Sequence, residues 1–390
     1  MKRTIKTEKL PIYIWTDSIE EGALQQTKNL ANHPYAFHHI AIMPDVHSGY
    51  GMPIGGVLAT KEVIIPNAVG VDIGCGMCAI KSDIQFSDIT IDEIKTMMGR
   101  IRGSVPVGFQ KHKQDQNPGY MPKLQTDGLP IVSNEYKKAL KQIGTLGGGN
   151  HFIDLLKDQE EYIWIMIHSG SRNIGYTVAN HYNKLAINNR SKYSSNIPTN
   201  WELDYLPLDS EQGQLYIEEM RYCVEFALCN RKLMMERVMD IVHEILARKI
   251  NWDEMINIAH NYAELEEHFG EKVWIHRKGA TKAYKGELGI IPGSQGTPSY
   301  IVKGKGNLDS FKSCSHGAGR VMSRSKAIRE LNMDEEVKKL ENKGVLHGIR
   351  GRKSLDEAPS AYKDIDKVIK EQEDLIEIIA KLEPVAVIKE

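Results

Sequence analysis

Short polar clusters containing Asp, Cys, His and Asn recur along the chain, beside glycines or at the ends of apolar runs. They are Asp45-Val-His47, Asp72-x-x-Cys75, Asn150-His151, His168-Ser-Gly-Ser-Arg172, His260-Asn261 and Ser315-His316-Gly-Ala-Gly-Arg320. Together they supply carboxylate, thiolate and imidazole groups, which suit Mn²⁺, Fe²⁺, Co²⁺ or Zn²⁺. Because a thiolate can bridge two metals, Cys75 beside Asp72 and several histidines would suit a binuclear site that acts on phosphate.

These clusters also have simpler interpretations. Cys75 and Cys78 form a C-x-x-C pair, which is typical of a redox pair or of half a zinc site. A four-cysteine zinc site needs a second pair, which Cys223, Cys229 and Cys314 do not supply. A redox pair is usually followed by a helix, whereas a strand is predicted here. A single histidine at a strand end is more often structural than a ligand, and spacing alone does not prove that these histidines converge.

Glycine-rich turns form a second group of candidate sites. Gly147-Gly-Gly-Asn150, Pro292-Gly-Ser-Gln295 and His316-Gly-Ala-Gly319 can each present successive backbone N–H groups to phosphate oxygens. The chain has no G-x-x-x-x-G-K-[ST] sequence, which excludes a P-loop nucleotide site. A histidine in such a turn lies where a phosphoryl group would be held, so His316 is a candidate nucleophile or general acid.

Basic residues concentrate in one part of the chain. Residues 272–353 contain 18 Lys and Arg against 7 Asp and Glu. Cations of this kind bind polyanions, either bidentately or as point charges. For residues 350–353 a solvated surface turn is the alternative. The candidate phosphate-binding cations are Arg172, Arg320, Arg324, Arg350, Arg352 and Lys353.

The elements that must position these clusters follow from the hydrophobic pattern. Short buried strands are predicted at Gly56–Thr60, Val63–Ile65, Val69–Ile73 and Tyr162–Ile167, the last ending at His168. Residues 211–251 predict a long helix, and Ile91–Ile101 predict a shorter one. Residues 272–353 predict glycine-rich strands and loops, and residues 360–390 predict a helix followed by the strand Pro384–Lys389. Without an internal repeat or a linker, the sequence predicts one mixed α/β domain over residues 1–390.

Composition excludes several classes of protein. The 390 residues are 41% hydrophobic, which is enough for a sizeable core. The formal net charge of -1 excludes a basic, tail-driven nucleic-acid binder. No run of 18 apolar residues predicts a membrane span, and the first residues do not resemble a secretory signal. Five scattered cysteines do not make a disulfide framework, so we expect a cytoplasmic enzyme with reduced thiols and no membrane partner.

Read together, these sequences resemble the RtcB family of RNA-splicing ligases, nearly from end to end and in the same order. The set of Asp-x-Gly-Cys-Gly-Met, Asn-His-Phe and Ser-His-Gly-Ala-Gly-Arg is highly specific to that family. The resemblance is carried by MPDVHSGYGMPIGG (43–56), VGVDIGCGM (69–77), GTLGGGNHF (144–152), HSGSRNIG (168–175), AHNYAE (259–264), KGA (278–280), PGSQGTPSY (292–300), SCSHGAGR (313–320) and EAPSAYKDIDKVI (357–369).

The resemblance implies a mixed α/β domain around a central cleft that holds two Mn²⁺ ions and GTP. Asp72, Cys75 and His151 resemble the ligands of one Mn²⁺, while Cys75, His168 and His260 resemble those of the second. His316 matches the histidine that becomes guanylylated. The positions that resemble the GTP contacts of the family are Asn150, His151, Phe152, Ile153, Asp154, His260, Asn261, Pro292, Gly293, Ser294, Gln295, Ser299, His316, Gly317, Ala318, Gly319 and Lys389.

The implied activity is GTP-dependent joining of RNA. An RNA 3′-phosphate or 2′,3′-cyclic phosphate would be joined to a 5′-hydroxyl through a histidine–GMP intermediate. Arg172 and Arg320 are our candidates for binding RNA phosphates. Whether an activating protein takes part, and whether the substrate arises in tRNA splicing or in RNA repair, the sequence leaves open.

Three positions depart from the family pattern. Asp154 stands where the family usually has Glu, Gln295 stands where it usually has Met, and a triple glycine precedes Asn150. The sequence also leaves open two alternatives to the RNA-joining function. One is a binuclear metal phosphohydrolase without a nucleotide intermediate, although simple hydrolysis does not need His316 in its glycine turn. The other is a non-catalytic RNA-binding paralogue, which would not need the thiolate and imidazole clusters.

Overall fold

The apolar and β-branched runs of the chain form strands that assemble into sheets. The computed structural model describes residues 1–390. The strands are β1 (Arg3–Ile5), β2 (Ile12–Ile14), β3 (Ala36–His47), β4 (Ile54–Thr60), β5 (Val63–Ile64), β6 (Gly76–Gln85), β7 (Phe152–Lys157), β8 (Tyr162–Ser169), β9 (Leu206–Pro207), β10 (Ile256–Ala259), β11 (Asn261–His268), β12 (Glu271–Lys278), β13 (Ala280–Lys282), β14 (Leu288–Ile291), β15 (Ser299–Gly304), β16 (Ser313–Ser315) and β17 (Ile376–Ile388).

Two large sheets organise these strands. One has six strands in the order β1-β2-β3-β4-β12-β11, and the other has seven in the order β10-β6-β8-β7-β17-β15-β14. Two-stranded sheets join β13 to β16 and β5 to β9. Only β2 and β3 pair in parallel; the other named strands pair antiparallel. Together with the helices, the sheets confirm the predicted mixed α/β class.

Helices cover the sheets, and one of them is much longer than the rest. They are α1 (Glu21–Ala31), α2 (Pro66–Val69), α3 (Ile91–Ser104), α4 (Pro130–Ala139), α5 (Arg172–Asn188), α6 (Arg190–Tyr193), α7 (Glu211–Leu246), α8 (Arg324–Glu330), α9 (Met333–Glu341) and α10 (Ile365–Lys370). None of them combines the length and the hydrophobicity that a membrane-spanning segment needs.

The long helix α7 confirms the prediction made from the 3.6-residue pattern. Ser210 caps its start by accepting a hydrogen bond from the Gly213 N–H, and Ala247 ends it in a left-handed conformation. Its Met234 and Val238 are buried in one cluster with Ile165 and Ile167 of β8. The helix therefore covers the part of the seven-stranded sheet that carries His168.

Other predicted elements were wrong or incomplete. The strand predicted at Val69–Ile73 is absent, because Pro66 starts the one-turn helix α2 and Gly70, at φ +95°, turns the chain away. Residues 272–353 contain the helices α8 and α9, capped by the side chains of Ser323 and Asn332, which were expected to be loops. The C-terminal strand begins at Ile376, eight residues before the predicted Pro384.

Candidate metal centre and active site

Sheet register brings four candidate ligands to the same end of neighbouring strands. In the order β10-β6-β8-β7, His168 on β8 is opposite Met77 on one side and Phe152 on the other. Cys75 and His151 directly precede the strands β6 and β7, and His260 directly follows β10. Antiparallel pairing therefore places all four side chains together, although they are far apart in sequence.

The donor atoms of these residues form a contiguous cluster. Cys75 Sγ lies 3.5 Å from His151 Nε2 and 3.3 Å from His168 Nε2. His168 Nε2 lies 3.4 Å from His260 Nε2, and Asp72 Oδ2 lies 3.1 Å from His151 Nε2. The ligand atoms of Cys75, His151 and His168 all lie within 4.8 Å of one another. Cys75 thus stands between an Asp–His pair and a His–His pair.

The second nitrogen of two imidazoles fixes which atom faces the cluster. His151 Nδ1 lies 3.0 Å from the Leu146 carbonyl oxygen, and His168 Nδ1 lies 3.0 Å from that of Asn150. A carbonyl oxygen can only accept, so the proton is assigned to Nδ1 in both rings. The Nε2 lone pairs of both rings therefore point at the cluster, as metal ligation requires.

When no metal ion is bound, burial largely determines whether these groups carry a charge. Burial, with the Asp72 charge nearby, raises the pKa of the Cys75 thiol well above its usual range. Burial also lowers the pKa of both His168 and His260 well below the usual value. Burial opposes the charge of Asp72 too, but the neighbouring His151 and Arg172 outweigh it and bring its pKa to about 2. His168 and His260 are thus neutral imidazoles, and Cys75 is a thiol whose proton a metal ion would have to displace.

Two glycines permit the close approach of the segments that carry these residues. A Cβ on Gly76 would lie 2.0 Å from the Ile258 carbonyl oxygen, and one on Gly170 would lie 2.2 Å from Asp72 Oδ1. Side chains at these positions would push the loop and strands apart. The glycines around Cys75 therefore serve packing of the cluster.

A buried arginine of α7, Arg231, binds the backbone next to the cluster residues. Arg231 donates from Nη1 to the carbonyl oxygens of Gly74 and Ser169, at 3.0 and 2.8 Å. It also donates to the Asn257 side chain at 2.8 Å and to the Ile258 carbonyl oxygen at 3.2 Å. One guanidinium therefore joins the segments next to Cys75, His168 and His260. Sequence analysis missed this residue, because a single arginine in an amphipathic helix has no distinguishing pattern.

The candidate nucleophile His316 lies beside the cluster and is oriented by a carboxylate. Its Nδ1 lies 2.6 Å from Asp45 Oδ2, which also accepts from the backbone N–H groups of His316 and Gly317 at 3.1 and 3.3 Å. The ring centroids of His316 and His260 are 4.7 Å apart. Because Nδ1–H donates to Asp45, Nε2 retains its lone pair. A Cβ on Gly319 would lie 2.1 Å from the Asp45 carbonyl oxygen, so this turn requires glycine.

The Cys75 cluster and His316 both line one cavity of about 910 Å³. A smaller cavity shares Asn150, Phe152, Gly293 and Tyr362 with it. The predicted GTP positions divide between the two. Those lining the large cavity are Asn150, His151, Phe152, His260, Asn261, Pro292, Gly293, His316, Gly317, Ala318 and Gly319, and those lining the small one are Asn150, Phe152, Asp154, Gly293, Ser294, Gln295 and Lys389.

Asp154 is the unusual group of the small cavity. It is buried, and its Oδ1 has no hydrogen-bond partner. Burial raises its pKa to about 8, against the opposing charge of Lys389. Gln295, the other departure from the family pattern, donates to the Glu357 carbonyl oxygen at 2.8 Å. An unpartnered buried carboxyl is costly, so this pocket is suited to a ligand with N–H donors.

Some predicted contacts do not face a cavity. Ile153 is buried in a hydrophobic cluster, and Ser299 Oγ accepts from the Gly293 N–H, which makes it a support for that turn. Arg172 does not line the large cavity; its Nη1 lies 3.4 Å from His151 Nδ1. Arg320 does line the cavity, but its guanidinium donates to Met322, Asp356 and Glu357.

Arg324 lies at the rim of the large cavity and has free hydrogen-bonding capacity. Its Nε donates to Glu357 at 2.9 Å, and its Nη2 lies 3.4 Å from Asn150 Oδ1. The sequence had grouped it with the general cations of its region. Arg324 and Asn150 are far apart in sequence, so no local pattern predicted that they lie together.

Comparison with known proteins places the chain in a family. A model of the family described as "tRNA-splicing ligase RtcB" matches residues 26–127 and 120–390. The chain is 38% identical over 407 residues to "RNA-splicing ligase RtcB" of Escherichia coli strain K12, covering 99% of this chain and 98% of that protein. It is 32% identical over 446 residues to "tRNA-splicing ligase RtcB" of Nanoarchaeum equitans, covering 95% and 92%. With "RNA-splicing ligase RtcB homolog 1" of Entamoeba dispar it shares 31% identity over 443 residues, covering 94% and 82%. The chain belongs to the RtcB family of RNA-splicing ligases.

Proposed function

We propose that this ligase joins an RNA 3′-phosphate or 2′,3′-cyclic phosphate to a 5′-hydroxyl, using GTP, two Mn²⁺ ions and a covalent His316–GMP intermediate. One observation carries the proposal. His316, oriented by Asp45, shares a cavity with the cluster around Cys75, and its ring contacts that of His260. A nucleophile is thereby adjacent to groups that bind cations. We also propose that residues 1–390 act as one ligase domain.

The metal ligands divide into two sets that share Cys75. Asp72, Cys75 and His151 would hold one Mn²⁺, and Cys75, His168 and His260 would hold the other. The Nε2 lone pairs of His151 and His168, both 3.5 Å or less from Cys75 Sγ, support this division. Bound Mn²⁺ would neutralise charge on phosphate oxygens. We propose a reducing, cytoplasmic location, because all five cysteines are free and Cys75 must stay unoxidised to ligate as a thiolate.

His316 begins the chemistry as a nucleophile. Its Nε2 attacks the α-phosphorus of GTP; a P–N bond forms and the P–O bond to the β-phosphate breaks, releasing pyrophosphate. Asp45 keeps the ring proton on Nδ1 and stabilises the positive charge that develops on the ring. The turn after His316, Gly317 to Gly319, lines the same cavity, and its Gly317 N–H donates to Asp45.

RNA then accepts and releases GMP. An oxygen of the RNA 3′-phosphate attacks the phosphorus of His316–GMP, which breaks the P–N bond and leaves an RNA–pp–guanosine end. The 5′-hydroxyl oxygen attacks the RNA phosphorus, forms the phosphodiester and expels GMP. A 2′,3′-cyclic end is first opened by water to the 3′-phosphate. We propose Arg172 and Arg320 as RNA-phosphate ligands, with Arg324 as a better-exposed third. For Arg320 this requires exchange of an internal hydrogen bond, and for Arg172 it requires that RNA reach a side chain outside the lining of the large cavity.

The small cavity is the proposed guanine site. Guanine offers two N–H donors on its Watson–Crick edge, and the unpartnered Asp154 Oδ1 can accept there. Lys389 is a donor for the guanine carbonyl oxygen, and its Nζ lies 3.6 Å from Glu357 Oε2. Asn150, Phe152 and Gly293 line both cavities and so connect the proposed guanine site with the cavity of His316.

Labelling with GTP tests the proposal. The full chain is incubated with Mn²⁺ and α-labelled GTP, and the label is followed on a denaturing gel. We expect a label that survives alkali and is lost in acid, as a phosphoramidate is, and no label from γ-labelled GTP. His316→Ala should abolish labelling, whereas the exposed His243→Ala should retain it.

Joining of RNA completes the test. RNA with a 3′-phosphate and RNA with a 5′-hydroxyl should be joined by the labelled protein without other proteins; joining only after an extract is added would indicate an activating partner. Labelling of His316→Ala would refute the nucleophile. Phosphate release from RNA without any protein label would favour a phosphohydrolase instead.

A further inference from the structure

Tyr50 presents an aromatic ring at the lining of the large cavity. It lies in the connection between β3 and β4, and 72% of the residue is exposed. A tyrosine offers an apolar face and a polar tip, which is why tyrosines are enriched where proteins bind ligands and partners. The covalent chemistry described above does not use this ring.

The backbone around Tyr50 is held in place at successive residues. The Ser48 N–H donates to Glu20, the Gly49 N–H donates to Gln26 at 3.1 Å, and the Gly51 N–H donates to Glu202 at 3.1 Å. The Tyr50 carbonyl oxygen accepts from Lys278 Nζ at 2.5 Å. The ring is therefore exposed on a fixed loop, so little conformational freedom would be lost when a ligand covers it.

Lys278 also joins this loop to the segment that carries Asp72. The same Nζ donates to the Asn67 carbonyl oxygen at 3.0 Å, and the Lys278 side chain passes 3.2 Å from where a Gly70 Cβ would be. Val71 follows directly, lines the same cavity and is 45% exposed. Tyr50 and Val71 are thus two exposed apolar side chains of the same cavity, on loops that Lys278 joins, and Val71 is directly followed by the candidate metal ligand Asp72.

The charges near these side chains do not suit a phosphate. Beside Tyr50 the cavity is lined by the neutral Ser48 and Gly49 and by the acidic Glu20. Lys278 is buried, with its ammonium group bound to two carbonyl oxygens. The guanidinium groups of the lining belong to a separate segment and pair with Glu357. An uncharged, flat group fits this part of the lining better than an anion does.

We propose that Tyr50 and Val71 form a platform on which the terminal base of an RNA substrate stacks while its end lies at the metal centre. The inference rests on the proposed RNA-joining function. A stacked base would fix the end of a flexible strand close to Asp72, and stacking accepts any base because each has a π-face. The platform therefore predicts dependence on a terminal base without preference for its sequence.

Substitution of the ring tests the platform. Tyr50→Ala should lower kcat/KM for RNA joining roughly 5- to 150-fold, the range expected for one stacked base, while Tyr50→Phe should remain within about threefold of the native chain. Tyr120→Ala, which removes a 42% exposed tyrosine outside the cavity, is the matched control. Labelling by GTP in the absence of RNA should be equal in all of these proteins, because the ring lies outside the guanine site.

Abasic RNA identifies the base. The 3′-phosphate strand or the 5′-hydroxyl strand is given an abasic ribose at its terminal position. When the strand that stacks on the platform is made abasic, the joining rate of the native chain should fall to that of Tyr50→Ala. The joining rate of Tyr50→Ala itself should not fall further. Equal losses for Tyr50→Ala on normal and abasic ends of both strands would overturn the proposal.

Fluorescence separates this inference from the proposed function. RNA carrying 2-aminopurine at the terminal position should be quenched on binding the native chain and Tyr50→Phe, but not Tyr50→Ala. Quenching reports stacking whether or not the ends are joined. A native chain that quenches but does not join would refute the proposed function and keep the platform. Native-like quenching with Tyr50→Ala would refute the platform alone.

Discussion

The pairing of Asp45 with His316 gives a direct test of how the nucleophile is prepared. Asp45 Oδ2 accepts three N–H groups, one from the imidazole and two from the backbone of the turn. Asp45→Asn preserves the volume but replaces one carboxylate oxygen by an amide NH₂. If the NH₂ group faces Nδ1, the imidazole must shift its proton to Nε2, and the nucleophilic lone pair is lost. If the oxygen faces Nδ1, the ring keeps its tautomer but loses the negative charge.

The size of the effect follows from these two losses. A hydrogen bond to a charged group contributes about 1.5–3 kcal/mol. In serine proteases the same Asp-to-Asn change lowers kcat about 10⁴-fold, because the histidine adopts the wrong tautomer. Since each tenfold change in rate corresponds to about 1.4 kcal/mol, we expect guanylylation to slow by roughly 10²- to 10⁴-fold, or about 3–5.5 kcal/mol.

Single-turnover labelling by α-labelled GTP measures this step without RNA. Bound manganese should be unchanged in Asp45→Asn, because Asp45 belongs to β3 and is not one of the proposed metal ligands. Asp158→Asn changes another buried aspartate, which accepts from Tyr162 and Trp164, and should label at the native rate. A native labelling rate in Asp45→Asn with native metal content would refute the argument that the carboxylate prepares His316.

Three other substitutions test separate parts of the site. Cys75→Ala should reduce bound manganese by at least half and abolish labelling, because it removes the atom shared by both ligand sets, whereas Cys78→Ala should retain metal and label; equal metal loss, measured by elemental analysis, would restore the paired-cysteine interpretation. Arg231→Met should weaken metal binding at least tenfold and lower the free energy of unfolding by about 3–5 kcal/mol, because it leaves buried carbonyl oxygens unpaired; native metal affinity in the folded variant would contradict its positioning role. Asp154→Ala should lower the preference for GTP over ATP roughly ten- to hundredfold while Asp154→Glu preserves it, and an unchanged ratio of labelling rates in both would exclude base recognition.

The sequence predicted which residues belong to the candidate site better than it predicted how they are arranged. The types of these residues indicated a metal site, and the family resemblance grouped Asp72, Cys75, His151, His168 and His260 into two ligand sets. The structure brings their donor atoms together. Their convergence depends on the strand order β10-β6-β8-β7, which no local pattern contains. Long-range pairing selects that order through the packing of the whole sheet.

The residues that position the site were harder to predict. Asp45 and His316 are separated by 271 residues, so the motif around each predicted a function but not their contact. Arg231 was hidden among the core residues of α7, because burial of an arginine depends on carbonyl oxygens supplied by other segments. The missing strand at Val69–Ile73 has a similar cause: apolar residues there pack as a turn of helix, since Pro66 and Gly70 decide the backbone.

The connection between the two large sheets places the candidate nucleophile His316 beside the Cys75 cluster. Asp45 belongs to β3 of the six-stranded sheet, whereas Cys75 directly precedes β6 of the seven-stranded sheet. His260 and Asn261 stand where the chain passes from β10 of one sheet to β11 of the other. The His260 N–H donates to the Cys75 carbonyl oxygen at 2.8 Å, and Asn261 accepts from the Gly279 N–H at 2.8 Å. His260 thus contacts the segment of Cys75, while Asn261 contacts Gly279, which precedes β13; β13 pairs with β16, the strand that ends just before His316. We therefore expect a change in this dipeptide to move the Cys75 cluster and His316 together, because it links the two sheets where these two groups meet.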